Sequence, residues 1–506
     1  MATEYISKKL STHIAEQFAE SFSEPEPTSI GYVFVGNHVP YASESFPDSI
    51  VETPSSEKQV WDNIIAAKKI TGADTSLVIP IKRWISGIYT QYDDLIDTSS
   101  LSLSSFYVMN SNNQVYKCLS NDNGDTSVNE PTGDYSINNG IIQTNDGYIW
   151  KYMYTYPSTN KFVTDSYAPV PLKANSSGYS TSTSSIVDGG IYSIVITNSG
   201  GSRYNTFVTT ATFVSATNIV SVVSADGIAN NMLVTGTGIQ SNTLVSLVSG
   251  TNITLSKNTT SSGGTLTFSP RAVIIGDGTG AEATIFTSGS PTNSISKIVL
   301  TNFGSGYSYA NVTIYAKSSS VANTRVIIGP KYGHGYYPAK ELYANSVMIS
   351  VKIGESDTTE GGLISDSTTI RQYGFLRDPC AYGSVNPVNS LTANLFVSQV
   401  YTLTVTGESP YTLNEFAYQG ADSANATFSG YVNSQTTNTV KLTKVKGVFK
   451  LGSPLKGQTS LIARNVIDIA YPSLQPYSGD ILYANNIQYI QRTTGQTENF
   501  NFVLRF

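Results

Sequence analysis

The sequence predicts a mainly β fold: a layered β-sandwich core split across the sequence, with helix-bearing loops and two inserted small β modules. Three observations carry this. Aromatic residues alternate along 148–156. The chain ends on a second alternating run, Phe500, Phe502, Leu504 and Phe506. Between these runs, two long stretches shed bulky charged character and become Ser-, Thr-, Gly- and Asn-rich. Alternation places every second side chain on one face of a strand.

The first run opens with Asn145-Asp146-Gly147, a turn signal, because Gly supplies a positive φ and Asn or Asp tolerates one. Tyr148, Trp150, Tyr152, Tyr154 and Tyr156 then share one face, and Ile149, Lys151, Met153 and Thr155 share the other. Pro157 closes the run, since it cannot donate to a ladder. So much aromatic area must be buried. The expectation is a sheet packed on another layer of its own domain; the alternative is an aromatic platform for a glycan.

Totals narrow the class. The 506 residues point to about two to four domains. Charged residues make up 13% of the chain, against about 25% in an average globular protein. With 33 Tyr and 41 Gly, this is the composition of a polar β protein that folds. The net charge of −6 argues against non-specific nucleic-acid or anionic-membrane binding. No apolar run approaches the roughly 18 residues of a membrane helix, and the start lacks the basic-then-apolar pattern of a signal peptide. Cys118 and Cys380 read as ordinary thiols of a protein made in a reducing cytosol.

In order, residues 1–172 read as the N-terminal part of the core, with helices. Ile6, Leu10, Ile14, Phe18 and Phe22 form a narrow helical stripe over 1–24, suited to docking on its own domain or on a partner. Residues 31–36 read as a strand. A capping box over 56–59 opens a helix carrying Val60, Trp61, Ile64, Ile65 and Lys68. Residues 106–109 and 115–119 read as a hairpin. Residues 173–330 form an inserted β-repeat region, in which 191–204 are echoed by 295–307, each a strand, an Asn-x-Gly turn and a Tyr. A different module is nested at about 214–270. Core style returns over 331–390, a second inserted β module covers 391–470, and core strands close the chain over 471–506.

Signals for chemistry are weak. Gly276-Asp-Gly-Thr-Gly280 lacks the Lys-Ser/Thr of a phosphate loop and reads as a β turn. Asp93, Asp94 and Asp97, Asp122 with Asp125, and Asp357 with Glu360 lie in polar loops where carboxylates are usually solvated. The segment 121–125 misses the calcium-loop pattern. His13, His38 and His334 are scattered and suggest neither a metal cluster nor a triad. The expectation is no enzyme, no cofactor and no metal. Lys441, Lys444, Lys446, Lys450 and Lys456, with Arg464, form a basic strip that is either a solvated face or a surface for an acidic partner.

Several segments carry a resemblance. Asn145-Asp-Gly-Tyr-Ile-Trp-Lys-Tyr152 resembles the Gly-Asp-Gly-Tyr-x-Trp-x-Tyr segment of the baseplate wedge protein (gene product eight type) of T-even-like contractile-tailed bacteriophages. Phe34-Val-Gly36 with its proline loop, Ile79-Pro80 with Arg83-Trp84, and Val115-Tyr-Lys-Cys-Leu119 resemble that family's N-terminal half. Ile370-Arg-Gln-Tyr-Gly-Phe375 resembles its Phe-Arg-Gln-Ile segment, with Ile370 where the family has Phe. Residues 477–483 and 497–506 resemble its C-terminal end. The likeness covers 1–172, 331–390 and 471–506 and omits both inserts. It implies a homodimer within each wedge, contacts to other baseplate wedge proteins, fibre or receptor-binding proteins nearby, a place in the virion tail baseplate after synthesis in the host cytoplasm, and no catalysis. The alternative reading is a tail-associated carbohydrate-binding or depolymerising receptor-recognition protein.

Overall fold

The computed structural model describes residues 8–24, 29–45, 47–183, 186–289, 292–354, 364, 368–385, 396–493 and 495–506. It is mainly β, with 45% strand and 9% helix. Two compact units divide the chain, one built on Ile79–Ala344 and the other on Ser11–Val78 with Asn345–Phe506. The sequence reading kept 1–172 in one core. The division falls after Val78 because strands Gly31–Gly36 and Thr75–Pro80 pair with strands from the C-terminal third, whereas Gln114–Ser120 and Ile149–Thr155 pair with each other.

The second unit holds the sandwich. One sheet runs in the order Phe396–Ser398, Ile64–Lys69, Gly31–Gly36, Thr369–Arg377, Asp480–Gln491. The other sets Thr497–Arg505 and Thr75–Pro80 on either side of Ser346–Gly354. Between them lie Val33, Val35, Ile65, Ile349, Val351, Ile370 and Phe500, with Phe375 and Phe502 ring centroids 4.2 Å apart. Each fully buried aliphatic side chain here contributes about 1.5–3 kcal/mol. Gly374 is required by close approach: a Cβ there would lie 2.0 Å from the Tyr483 carbonyl oxygen and 2.6 Å from the Phe34 ring.

Two expectations about the helices change. The second helix spans Pro54–Asn63 and is capped by Thr53, whose hydroxyl accepts from Ser56 N at 3.1 Å, with Pro54 in the first turn. The capping box over 56–59 is therefore not the start. Ile64, Ile65 and Lys68 lie on strand Ile64–Lys69, not on the helix. The β-branched Ile64-Ile65 pair is fully buried in the sheet, and that burial overrides the helical spacing. The first helix spans Lys8–Ser21 among the described residues.

A closed six-stranded barrel follows in the same unit, in the order Tyr401–Val405, Thr439–Gly447, Ala426–Gln435, Phe416–Gly420, Pro454–Gly457, Ala463–Ala470. Alternate residues point inward, so Leu403, Val432, Val440, Leu442, Leu455 and Val466 fill it. Its first and last strands pair, with Thr402 opposite Ala470.

The first unit contains an antiparallel sheet in the order Tyr107–Met109, Gln114–Ser120, Ile149–Thr155, Ile141–Gln143. It also contains a closed barrel of six strands from Phe207–Thr212 to Gly264–Ser269, with Phe207 opposite Phe268. The strand Phe207–Thr212 belongs to this barrel, so the module starts before residue 214. The echoed strands Ile191–Asn198 and Ile295–Ser305 lie in different sheets but share a core of Ile191, Ile194, Tyr204, Ile298, Leu300 and Tyr307.

Candidate functional site

The strand Ile149–Thr155 is central, and both of its faces are buried. On the aromatic face, Tyr148 and Trp150 stack at 5.5 Å, Tyr89 meets the Trp150 ring edge-on at 5.3 Å, and Tyr116 meets Tyr152 at 5.8 Å. The Tyr148 hydroxyl donates to Asp125 O and the Tyr152 hydroxyl to Ser180 O. Tyr154 packs on Tyr179 and Tyr156. Tyr148, Trp150, Tyr152, Tyr154 and Tyr156 are each at most 2% exposed, so these rings form a core layer with no face for a glycan.

The opposite face holds charge. Lys117 Nζ lies 3.0 Å from Glu341 Oε2 and 3.2 Å from His334 Nδ1, and His334 Nδ1 lies 3.2 Å from the same carboxylate oxygen. Gly335 N donates to Glu341 Oε1 at 2.7 Å. Lys151, next along this face, donates to Asn139 O at 2.7 Å. The His334 ring sits edge-on between Tyr92 at 4.8 Å and Tyr192 at 5.1 Å, and Lys117 lies over the Tyr92 ring. Gly333 and Gly335 carry φ of 83° and 92°, a backbone that turns His334 inward; a Cβ at Gly333 would lie 2.4 Å from Val187 O.

Burial pushes the His334 imidazole down to about 4, with Lys117 adding to the effect. Burial alone would raise the Glu341 carboxyl, but Lys117 and His334 more than offset it and bring it to about 2. Burial lowers Lys117 against the pull of Glu341, and lowers Lys151 to about 8. Perturbed groups of this kind occur in active sites and in structural ion networks alike. Here the side chains are at most 7% exposed, and the trio fastens the loop around His334 to strand Gln114–Ser120. His334 Nε2 has no hydrogen-bond partner among the described residues. Sequence reading set His334 aside because Lys117 and Glu341 lie far from it in the chain; its two flanking glycines were the available signal.

The remaining expected residues separate. Ile6, Asp357 and Glu360 lie outside the described residues. Leu10 and Ile14 are 46% and 44% exposed, whereas Phe18 and Phe22 pack against the sandwich core. Arg325 binds Asp93 and Asp94, Asp97 caps the helix Thr98–Leu103, and Lys297 pairs with Asp122 at 3.1 Å. Asp277 turns onto Ser308 N and Tyr309 N, which together with the Ser308 hydroxyl lower its carboxyl to about 2 and hold the glycine-rich turn.

The basic strip is not one face. Lys444 donates to Asn37 Oδ1 at 3.1 Å, and Lys446 lies 3.6 Å from Asp62. Lys456 and Arg464 are spent on carbonyls of their own barrel, Gly420 O and Thr406 O. Lys450 is exposed and Lys441 half-buried. His38 joins the barrel to the sandwich through Asn414 Oδ1 at 2.5 Å and the Thr443 hydroxyl, and burial lowers its imidazole to about 4. Cys118 and Cys380 are buried free thiols. Among the described residues no three or more His, Cys, Asp or Glu side chains gather as an ion site, and no described helix is long and apolar enough to cross a membrane. Compared with known proteins, the chain matches no family model and has no significant match among curated sequences.

Proposed function

We propose that the chain is a structural subunit of a phage contractile-tail baseplate wedge, which assembles with other wedge proteins and transmits the baseplate's conformational change. The observation that carries this reading is where the resembling segments fall. Residues 145–152 lie on the central aromatic strand, 370–375 and 477–483 on and beside neighbouring sandwich strands, and 497–506 on the strand that closes the second sheet. They keep the family's order, and the two stretches outside the resemblance are where the closed barrels lie. On this reading the chain forms a homodimer in each wedge, meets other wedge proteins and lies near fibre or receptor-binding proteins.

The exposed end of the first helix is the partner contact. Leu10→Asp with Ile14→Asp places charge on solvent-facing positions, so thermal stability should stay within about 0.5 kcal/mol. Incorporation into co-sedimenting wedge complexes should be lost. Normal incorporation would reject this contact.

A second reading, glycan recognition, is favoured by Tyr382 and Tyr471, which stack at 5.0 Å and are 37% and 51% exposed. Binding on a glycan array that is lost in Tyr471→Ala would support it, and an array without signal would reject it.

A further inference from the structure

We propose that the open half of strand Asp480–Gln491 docks an extended, basic segment of a partner protein, which adds to the sandwich as a further strand. This strand is 12 residues long and lies at the edge of its sheet. Its backbone pairs with Thr369–Arg377, and no backbone hydrogen bond reaches its outer side among the described residues. Such an edge is a template for another strand, and proteins normally blunt it.

Half of this edge is blunted. Asn486 Nδ2 donates to Asp48 O at 2.8 Å and Gln488 Nε2 to Ser45 O at 3.1 Å, so the loop at 45–48 lies along it. The other half, 480–484, opens into a groove of about 620 Å³ whose far wall includes Ile50, Glu52, Glu57 and Val60. Leu482 and Tyr483 are 59% and 44% exposed there. Residues 49–52 likewise make no backbone hydrogen bonds among the described residues. Five residues of edge extend about 16 Å, room for a short strand.

Charge selects the occupant. Glu52 and Glu57 are exposed and have no cation partner among the described residues, while Asp480 is already paired with Arg377 at 2.5 Å. The rim therefore offers two carboxylates to lysine or arginine. Main-chain bonds would supply affinity, and Ile50, Val60 and Leu482 would read alternate side chains. The inference stands on this edge alone and is independent of the tail assignment.

The test uses the full chain and a labelled heptapeptide, Lys-Val-Lys-Val-Thr-Val-Lys, with two controls: its Glu-for-Lys counterpart and the same peptide N-methylated at alternate amides. Fluorescence anisotropy should show the basic peptide binding at least ten-fold tighter than either control. Hydrogen exchange at 480–484 should slow when it binds. Glu52→Lys with Glu57→Lys, at exposed positions, should abolish the charge preference while the thermal melt is retained. Equal affinity for the N-methylated peptide, or unchanged exchange at 480–484, would overturn the proposal. So would protection of 480–484 that rises with protein concentration in the absence of peptide, which would make a second copy the occupant.

Discussion

Lys117 Nζ lies 3.0 Å from Glu341 Oε2 across 224 residues of sequence, with both side chains less than a tenth exposed. Removing one member of such a pair leaves a buried charge uncompensated, at a cost of about 3–5 kcal/mol. Glu341→Gln should therefore destabilise the first unit by that amount in urea denaturation. Lys117→Met with Glu341→Leu should cost less than the sum of the single changes. Strict additivity would mean that the two groups do not interact.

Stability should fall in mild acid for a stated reason. His334 and His38 titrate near 4 in the fold and near 6.5 when unfolded, both lowered chiefly by burial. The unfolded chain then binds more protons between those values, so the contribution is complete above about pH 6.5 and is lost as pH drops toward 4. Each histidine accounts for up to about 3 kcal/mol over that window. Glu341, held at about 2, adds a further loss below about pH 4.5. His334→Gln should flatten the pH dependence of one unfolding transition and His38→Gln that of the other. An unchanged slope in both variants would contradict the assignment.

How much of this was legible in sequence depended on whether the signal was local. The aromatic strand was, because alternation is a property of nine consecutive residues and Tyr148 to Tyr156 keep it without a break. That its other face is equally buried was not, because the groups that accompany Lys151 there, His334 and Glu341, arrive from a loop nearly 200 residues later. Ile64 and Ile65 continue a helical spacing set by Val60 and Trp61, and only the neighbouring strands Gly31–Gly36 and Phe396–Ser398 decide that they extend. Phe207–Thr212 alternates wherever it pairs, so the sequence could not tell which module it joins. The basic residues at 441–464 look like one strip on paper, but in the fold they separate into cross-links and carbonyl caps.

The start of the second helix can be checked directly. Thr53→Ala removes the hydroxyl that accepts from Ser56 N and should cost about 1 kcal/mol. Gln59→Ala, at an exposed position, should cost less than about 0.5 kcal/mol. The reverse order in thermal melts would restore the cap at Ser56.

Gly374 should not tolerate a side chain. Gly374→Ala drives a Cβ into the Tyr483 carbonyl at 2.0 Å and forces Asp480–Gln491 away from Thr369–Arg377. A loss of at least about 2 kcal/mol is expected in denaturant titration, within the range for overpacking. A variant as stable as the parent would show that the two strands are further apart than described.

The second barrel should be removable. Thr402 pairs with Ala470, so its ends are adjacent and a short Gly-Ser bridge can replace 402–469. The remaining chain should keep a cooperative melt, lowered because His38 and Asn37 lose Thr443, Asn414 and Lys444. A non-cooperative melt would show that the sandwich cannot fold without the barrel.

The central claim is that the chain is a component of a contractile tail. It is tested most directly by electron cryomicroscopy of intact tails from particles that encode it. The account predicts density in the baseplate wedge that fits the sandwich, the aromatic sheet and both closed barrels, with two copies in contact. A baseplate fully accounted for by other chains, with this one absent from the tail, would contradict it.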